Sequence, residues 1–160
     1  MTDGRILAAH HDGAYALKLV GDVRVNLCSA IDDYLDGMFS DPAFESILVD
    51  VCEADGIDST TLGLLAKLAL RARQQYGLKP VIYSCNSGIN RLLKSMAFGK
   101  LFDIREEHFV EDDVIKEIPA VSEDPESVRI KVIEAHRVLM DISDENRERF
   151  QDLMVALEKK

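Results

Sequence analysis

The sequence has few features that direct a protein to nucleic acids or into membranes. Its 160 residues include 19 Lys and Arg against 29 Asp and Glu, and the formal net charge is −10. A nucleic-acid partner requires a basic surface that neutralises phosphates, and anionic lipid surfaces repel acidic proteins. No apolar run approaches the roughly 20 residues that span a bilayer, and the first residues do not resemble a signal peptide. We therefore expect no nucleic-acid partner and no membrane insertion.

Cysteine is also scarce, because only Cys28, Cys52 and Cys85 occur and no two of them form a Cys-x-x-Cys pair. An odd number of scattered cysteines within apolar stretches predicts buried free thiols rather than disulfides or zinc ligands. Free thiols are typical of a reducing compartment, so we expect a cytoplasmic protein. His10 and His11 have no third ligand at a suitable spacing. We therefore predict no metal site and no cofactor.

Sequence signatures of catalysis are missing as well. The phosphate-binding patterns GxGxxG and GxxxxGK do not occur, and neither does the GxSxG pattern of serine hydrolases. His108 stands alone in the sequence, and His136 lies on an apolar helical face where packing is the simplest role. Cys52 and Cys85 have no neighbouring base. We expect that the protein is not an enzyme.

What the sequence does contain is an alternation of short apolar strands and amphipathic helices. The predicted strands cover residues 5–10, 14–20, 47–52, 81–84 and 98–104. The first two form a hairpin around a turn at His11-Asp12-Gly13, and Gly21-Asp22 ends the second strand. The predicted helices cover residues 26–39, residues 60–76 and a segment capped by Ser87. This alternation is typical of an α/β fold, in which helices pack against a mixed β-sheet. We expect residues 1–110 to form this domain.

The last fifty residues have a different pattern. Residues 111–160 contain 14 acidic and 8 basic side chains, so they carry −6 of the net charge of −10. Asp124 followed by Pro125 predicts the start of one helix, and Ser143 predicts the cap of another. Regularly spaced apolar residues give both helices an apolar face. We predict a helical hairpin that covers part of the sheet domain, mediates self-association or contributes to partner choice.

One junction in the sequence suggests a function. Asp58, Ser59 and Thr60 stand where a buried strand ends and the strongest helix begins, and the simplest interpretation is that they cap this helix. A hydroxyl at a helix start also suits a phosphate, since the helix dipole favours negative charge and phosphorylation adds about −1.5 to −2 charges. The nearby carboxylates of Glu53, Asp55 and Asp58 would repel this phosphate. We therefore expect phosphorylation here to change the surface electrostatically.

The residues at this junction resemble a family signature. Residues 58–63 (Asp-Ser-Thr-Thr-Leu-Gly) are similar to the sequence Asp-Ser-Ser/Thr-Gly-Leu-Gly of STAS domains in anti-sigma-factor antagonists. Residues 19–22, 84–93 and 96–102 resemble further segments of the family in the same order. Together the similarity covers roughly residues 5–105. It implies a STAS-like fold with a C-terminal helical extension.

The resemblance also implies a mechanism. The family's phosphorylated hydroxyl directly follows the Asp, which gives Ser59 in this chain, with Thr60 as the runner-up. An anti-sigma-factor antagonist of this kind binds an anti-sigma factor that is itself a serine kinase, and a PP2C-type phosphatase removes the phosphate. The chain would thus act in a bacterial partner-switching pathway that regulates transcription. It departs from the family at Thr61, where the commonest signature has Gly, and at Arg24, where many relatives have Asp.

We predict that the partner binds at the start and along one side of the helix after the signature. The expected partner-binding residues are Arg24, Asp58, Thr61, Leu64, Lys67 and Arg71. A partly apolar face with a charged rim is typical of reversible interfaces. The sequence leaves open whether Leu64 and Leu70 are partly exposed on this face or simply widen the contact with the core.

Two other classes of function fit the sequence less well. A constitutive STAS-like subunit of a lipid-transport ABC complex would dock the same helix on an ATPase and would need no kinase. A small nucleotide hydrolase is the least favoured, because the sequence offers no catalytic constellation. The intact Ser-Thr-Thr run of hydroxyls at residues 59–61 favours the phosphorylation switch.

Overall fold

The computed structural model describes residues 3–109 and 115–159. The strands of this part are β1 (Arg5–His11), β2 (Ala14–Val23), β3 (Ser46–Ile57), β4 (Val81–Tyr83), β5 (Asp103–Arg105) and β6 (Lys116–Ile118). The α-helices are α1 (Cys28–Phe39), α2 (Ser59–Tyr76), α3 (Ser87–Ser95), α4 (Pro125–Ile142) and α5 (Asp144–Glu158). The predicted α/β fold, a mixed sheet with helices packed against it, is confirmed.

The six strands form one sheet in the order β5-β4-β3-β2-β1-β6. β1 and β2 form the predicted hairpin, whose turn at Asp12 and Gly13 has positive φ angles of 49° and 86°. The pairs β2–β3, β3–β4 and β4–β5 are parallel, and β6 pairs antiparallel with the outer edge of β1. The sequence did not predict β6, which is only three residues long.

Two strands are longer than predicted. Gly21 and Asp22 were expected to end the second strand, but β2 continues to Val23. Gly21 has a φ of 75°, and the pairing with β3 shifts register next to it, so the glycine forms an irregularity within the strand. β3 likewise continues beyond Cys52 to Ile57. The long β2–β3 pair brings the ends of both strands to the start of α2.

The last predicted strand, residues 98–104, is largely wrong. Phe98–Lys100 form a short 3-10 helix, and only Asp103–Arg105 are extended. Phe98 and Phe102 are four residues apart, which suits one side of a helical turn, and both side chains are fully buried. The cap of α3 also differs from the prediction, because Asn86 rather than Ser87 accepts the first-turn hydrogen bonds.

The C-terminal helices begin as predicted. The Asp124 side chain accepts a hydrogen bond from the backbone N–H of Ser127 at 2.9 Å, and Ser143 caps α5 in the same manner. Here α4 packs against α2 at Gly63, where a Cβ atom would collide with the backbone of Ala135. Leu139 of α4 and Phe150 of α5 belong to the same apolar core as the sheet.

The prediction of three free thiols is wrong for two of them. Cys52 and Cys85 form a disulfide, and Cys28 is a buried free thiol. The register of the sheet explains this pairing. Asp50 of β3 pairs with Tyr83 of β4, and these residues are 33 positions apart in the sequence. Cys52 and Cys85 are separated by the same 33 positions. None of the helices in residues 3–109 and 115–159 has the length and apolarity that a membrane span requires.

Candidate functional site

Ser59 is the first residue of α2, and only Asp58 separates it from the end of β3. The helix is capped by Asp58, whose carboxylate accepts a hydrogen bond from the backbone N–H of Thr61 at 2.9 Å. The backbone N–H of Asp58 donates to the carbonyl of Val23 at 3.2 Å, which fixes the junction to the end of β2. Because Asp58 satisfies the capping role, the Ser59 hydroxyl is available for another interaction.

That interaction is with a histidine of the C-terminal hairpin. Ser59 Oγ lies 2.8 Å from His136 Nε2, and His136 Nδ1 lies 2.7 Å from the backbone oxygen of Val132. A carbonyl oxygen only accepts, so Nδ1 carries a proton. In the neutral imidazole, Nε2 then accepts a hydrogen bond from the Ser59 hydroxyl. The contact joins residues 77 positions apart.

The sequence predicted a packed role for His136, and its side chain is indeed buried, with 2% exposed. The sequence missed its contact with Ser59. Helical periodicity places His136 on the apolar face of α4, but nothing in the periodicity shows which element that face covers. The edge of the Phe150 ring in α5 packs against the imidazole, with ring centroids 5.1 Å apart. The side chain of His136, which belongs to α4, therefore lies between Ser59 of α2 and Phe150 of α5.

The three hydroxyls of the signature differ in accessibility. Ser59 is half-buried, whereas Thr60 is 5% exposed and Thr61 is fully buried. Thr61 Oγ1 has no hydrogen-bond partner among the described residues. Of the three residues, Ser59 is thus the most exposed. The burial of Thr61 does not fit its expected direct contact with a partner.

The sequence left the exposure of Leu64 open, and the structure buries it in the core with 2% exposed. Leu70 is partly buried, beside a cavity of about 210 Å³ that Val138 and Ile142 of α4 also line. Both leucines thus widen the core contact. Leu64 is not available on a free partner-binding face in this arrangement of the chain.

Lys67 and Arg71 are also engaged within the chain. Lys67 Nζ lies 2.9 Å from Asp32 of α1 and 2.6 Å from Glu134 of α4. Burial alone would lower the pKa of Lys67, but the hydrogen bonds with the two carboxylates outweigh it and raise the pKa. Arg71 Nη1 donates to Asp36 at 2.6 Å. Two of the predicted rim residues therefore stabilise contacts among α1, α2 and α4.

Arg24 lies on the exposed side of the junction. Its Nε donates to the carboxylate of Asp22 at 2.6 Å, and the side chain remains 61% exposed. Asp55 near the end of β3 is exposed, and Asp58 is half-buried. Together with Ser59, these residues form an accessible patch where β2 and β3 end and α2 begins. We call Arg24, Asp55, Asp58 and Ser59 the junction surface.

The comparisons with known proteins do not assign this chain to a family. No protein-family model matches the sequence, and no curated protein matches it either. The resemblance to STAS domains therefore remains a prediction from the motifs quoted above.

Proposed function

We propose that the protein is a phosphorylation-switched protein-binding module of the anti-sigma-factor antagonist type, with Ser59 as the acceptor. The observation that carries the proposal is the position of the Ser59 hydroxyl. It is half-buried at the start of α2, it is not used to cap the helix, and it contacts His136 of α4. The sequence resemblance supports the class of pathway, in which a serine kinase and a phosphatase act on this residue.

A phosphate on Ser59 cannot keep the present arrangement. The hydroxyl proton that Ser59 donates to His136 is lost on phosphorylation, and phosphate oxygens only accept when ionised. The imidazole is buried and lies 2.8 Å from the hydroxyl, which leaves no space for a phosphate between them. Phosphorylation should therefore separate Ser59 from His136 and loosen the start of α2 from α4.

The phosphate also changes the charge of the junction surface. Asp55 and Asp58 already make it acidic, and Arg24 is paired with Asp22. Adding about two negative charges gives the patch a strong negative potential. We propose that the unmodified junction surface binds the anti-sigma factor that phosphorylates it, and that the phosphorylated form releases this partner and is recognised by a PP2C-type phosphatase.

We propose a cytoplasmic location and a role in transcription regulation, both from the resemblance. The argument from three free thiols no longer supports this location, because two of the cysteines are paired in the structure. The alternative of a constitutive subunit of a lipid-transport ABC complex is weaker. It requires the side of α2 to dock on an ATPase, but α4 already packs against that helix at Gly63.

Binding assays with charge variants test the proposal. Ser59→Ala should bind the partner anti-sigma factor as the wild type does, and Ser59→Asp should lose this binding. Ser87→Asp is a matched control, because Ser87 is also the first residue of a helix capped by the preceding residue, and it is exposed. Binding of Ser59→Asp at wild-type strength would refute the switch.

A further inference from the structure

A second cluster of reactive side chains lies outside the junction surface, beside the carboxyl ends of β4 and β5. Cys52 in the middle of β3 and Cys85 just after β4 are joined by the disulfide, with their Cα atoms 4.9 Å apart. His108 follows β5. The ligand atoms of the two cysteines and this histidine all lie within 4.8 Å of one another. These three residues come from three different segments, so no ligand spacing can be recognised in the sequence.

The segment after β5 is held over the cysteines by several contacts. The backbone N–H of Ser84 donates to the carbonyl of Arg105 at 2.9 Å, which extends the β4–β5 pairing. Cys52 Sγ lies 3.4 Å from the backbone oxygen of Glu107. The ring of Phe109 packs on Tyr83 with centroids 5.0 Å apart. Contacts on both sides of His108 therefore keep it beside the two sulfurs.

Two thiolates and an imidazole are a donor set that suits Zn²⁺. Thiolates and imidazoles are the softer protein ligands, and zinc sites with two cysteines, one histidine and a water are known. Zn–S distances of about 2.3 Å place two sulfurs about 3.8 Å apart in a tetrahedral site. Neighbouring parallel strands lie about 4.8 Å apart, so side-chain rotation alone can give this separation. Two thiolates also neutralise the charge of the ion.

We propose that Cys52, Cys85 and His108 form a redox-gated zinc site, with the disulfide as its metal-free form. A dithiol reductant donates two electrons and two protons to the disulfide and becomes a disulfide itself, which leaves two thiols on the protein. Zn²⁺ then displaces one proton from each thiol and binds both thiolates, the neutral imidazole and a water. Cys52 and Cys85 are half-buried and His108 is exposed, so reductant and ion can reach the site. This proposal does not depend on phosphorylation of Ser59.

Cobalt titration of the full chain tests the site. The protein is reduced with a phosphine, freed of the reductant without oxygen, and titrated with Co²⁺, whose thiolate charge-transfer and tetrahedral absorption bands report the ligands. We expect one Co²⁺ per chain, displaced by Zn²⁺, and no bands with the oxidised protein. Cys52→Ser and Cys85→Ser should abolish the thiolate band, and His108→Ala should weaken binding about tenfold or more. Cys28→Ser is the matched control and should bind as the wild type does, because Cys28 is buried in α1.

A measurement on the unmodified chain tests the site even if one of the variants fails to fold. Zn²⁺ should protect Cys52 and Cys85 of the reduced protein from alkylation, as mapped by mass spectrometry, and chelation should restore their reactivity. Unprotected thiols, a Co²⁺ spectrum without thiolate bands, or equal binding by His108→Ala would overturn the three-ligand site. Equal binding by the oxidised protein would overturn the redox gate.

Discussion

Gly63 provides a sensitive test of how the C-terminal hairpin packs. A Cβ atom at this position would collide with the backbone oxygen and carbon and with the Cβ of Ala135, so α4 would have to move away from α2. Overpacking of this kind costs about 1–3 kcal/mol, and the rigid backbone on the other side places the cost at the upper end. Alanine gains about 0.8–1 kcal/mol over glycine from helix propensity. We therefore expect Gly63→Ala to lower the free energy of unfolding by about 1–2 kcal/mol.

Gly37 gives the matched control for this change. It lies in α1, it is exposed, and a Cβ there would meet no atom within 4 Å. Gly37→Ala should therefore raise the free energy of unfolding by about 0.5–1 kcal/mol. Urea unfolding of both variants, followed by circular dichroism, measures the two effects. If Gly63→Ala stabilised the protein as much as Gly37→Ala, the close packing of α4 on α2 would be refuted.

Three further predictions concern single interactions. Asp58→Ala removes the cap of α2 and should cost about 1 kcal/mol of unfolding free energy in urea. Reduction of the Cys52–Cys85 disulfide without added metal should lower the free energy of unfolding by up to about 3–4 kcal/mol, as expected for a loop of 33 residues. Thermal unfolding with and without reductant measures this loss. Burial and the hydrogen bond to Asp41 raise the pKa of Tyr15 from 10.0 to about 12. The contribution of Tyr15 to the free energy of unfolding should therefore persist below pH 10 and disappear as the pH rises toward 12. Burial also raises the pKa of Tyr34, so ultraviolet titration of tyrosinate should show more than one late-titrating group, and one of them should be missing in Tyr15→Phe.

Local patterns predicted most of the fold. The hairpin at Asp12-Gly13, the amphipathic stripe of residues 60–76 and the cap at Asp124 depend on residues close together in the sequence, and all three are confirmed. The errors occur where the local signal is ambiguous. Phe98 and Phe102 have the hydrophobicity of a strand, but a helical turn places both side chains in the core. Gly21 interrupts the pairing of β2 with β3 without ending the strand.

The candidate site was harder to predict, because its contacts are not local. The sequence identified Ser59 and its cap, since both belong to one strand–helix junction. It did not identify His136, which reaches Ser59 only because α4 packs on α2. For the same reason it did not pair Cys52 with Cys85, since their proximity depends on the register of β3 and β4. Periodicity specifies that a face is buried, but it does not specify the partner.

Phosphate mapping of the natural protein tests the central claim most directly. The protein is isolated from the cells that produce it, separated into partner-bound and partner-free fractions, and digested for mass spectrometry of the peptide that contains residues 58–61. The account predicts a phosphate on Ser59 in the free fraction and an unmodified Ser59 in the bound fraction. An unmodified Ser59 in both fractions would contradict it.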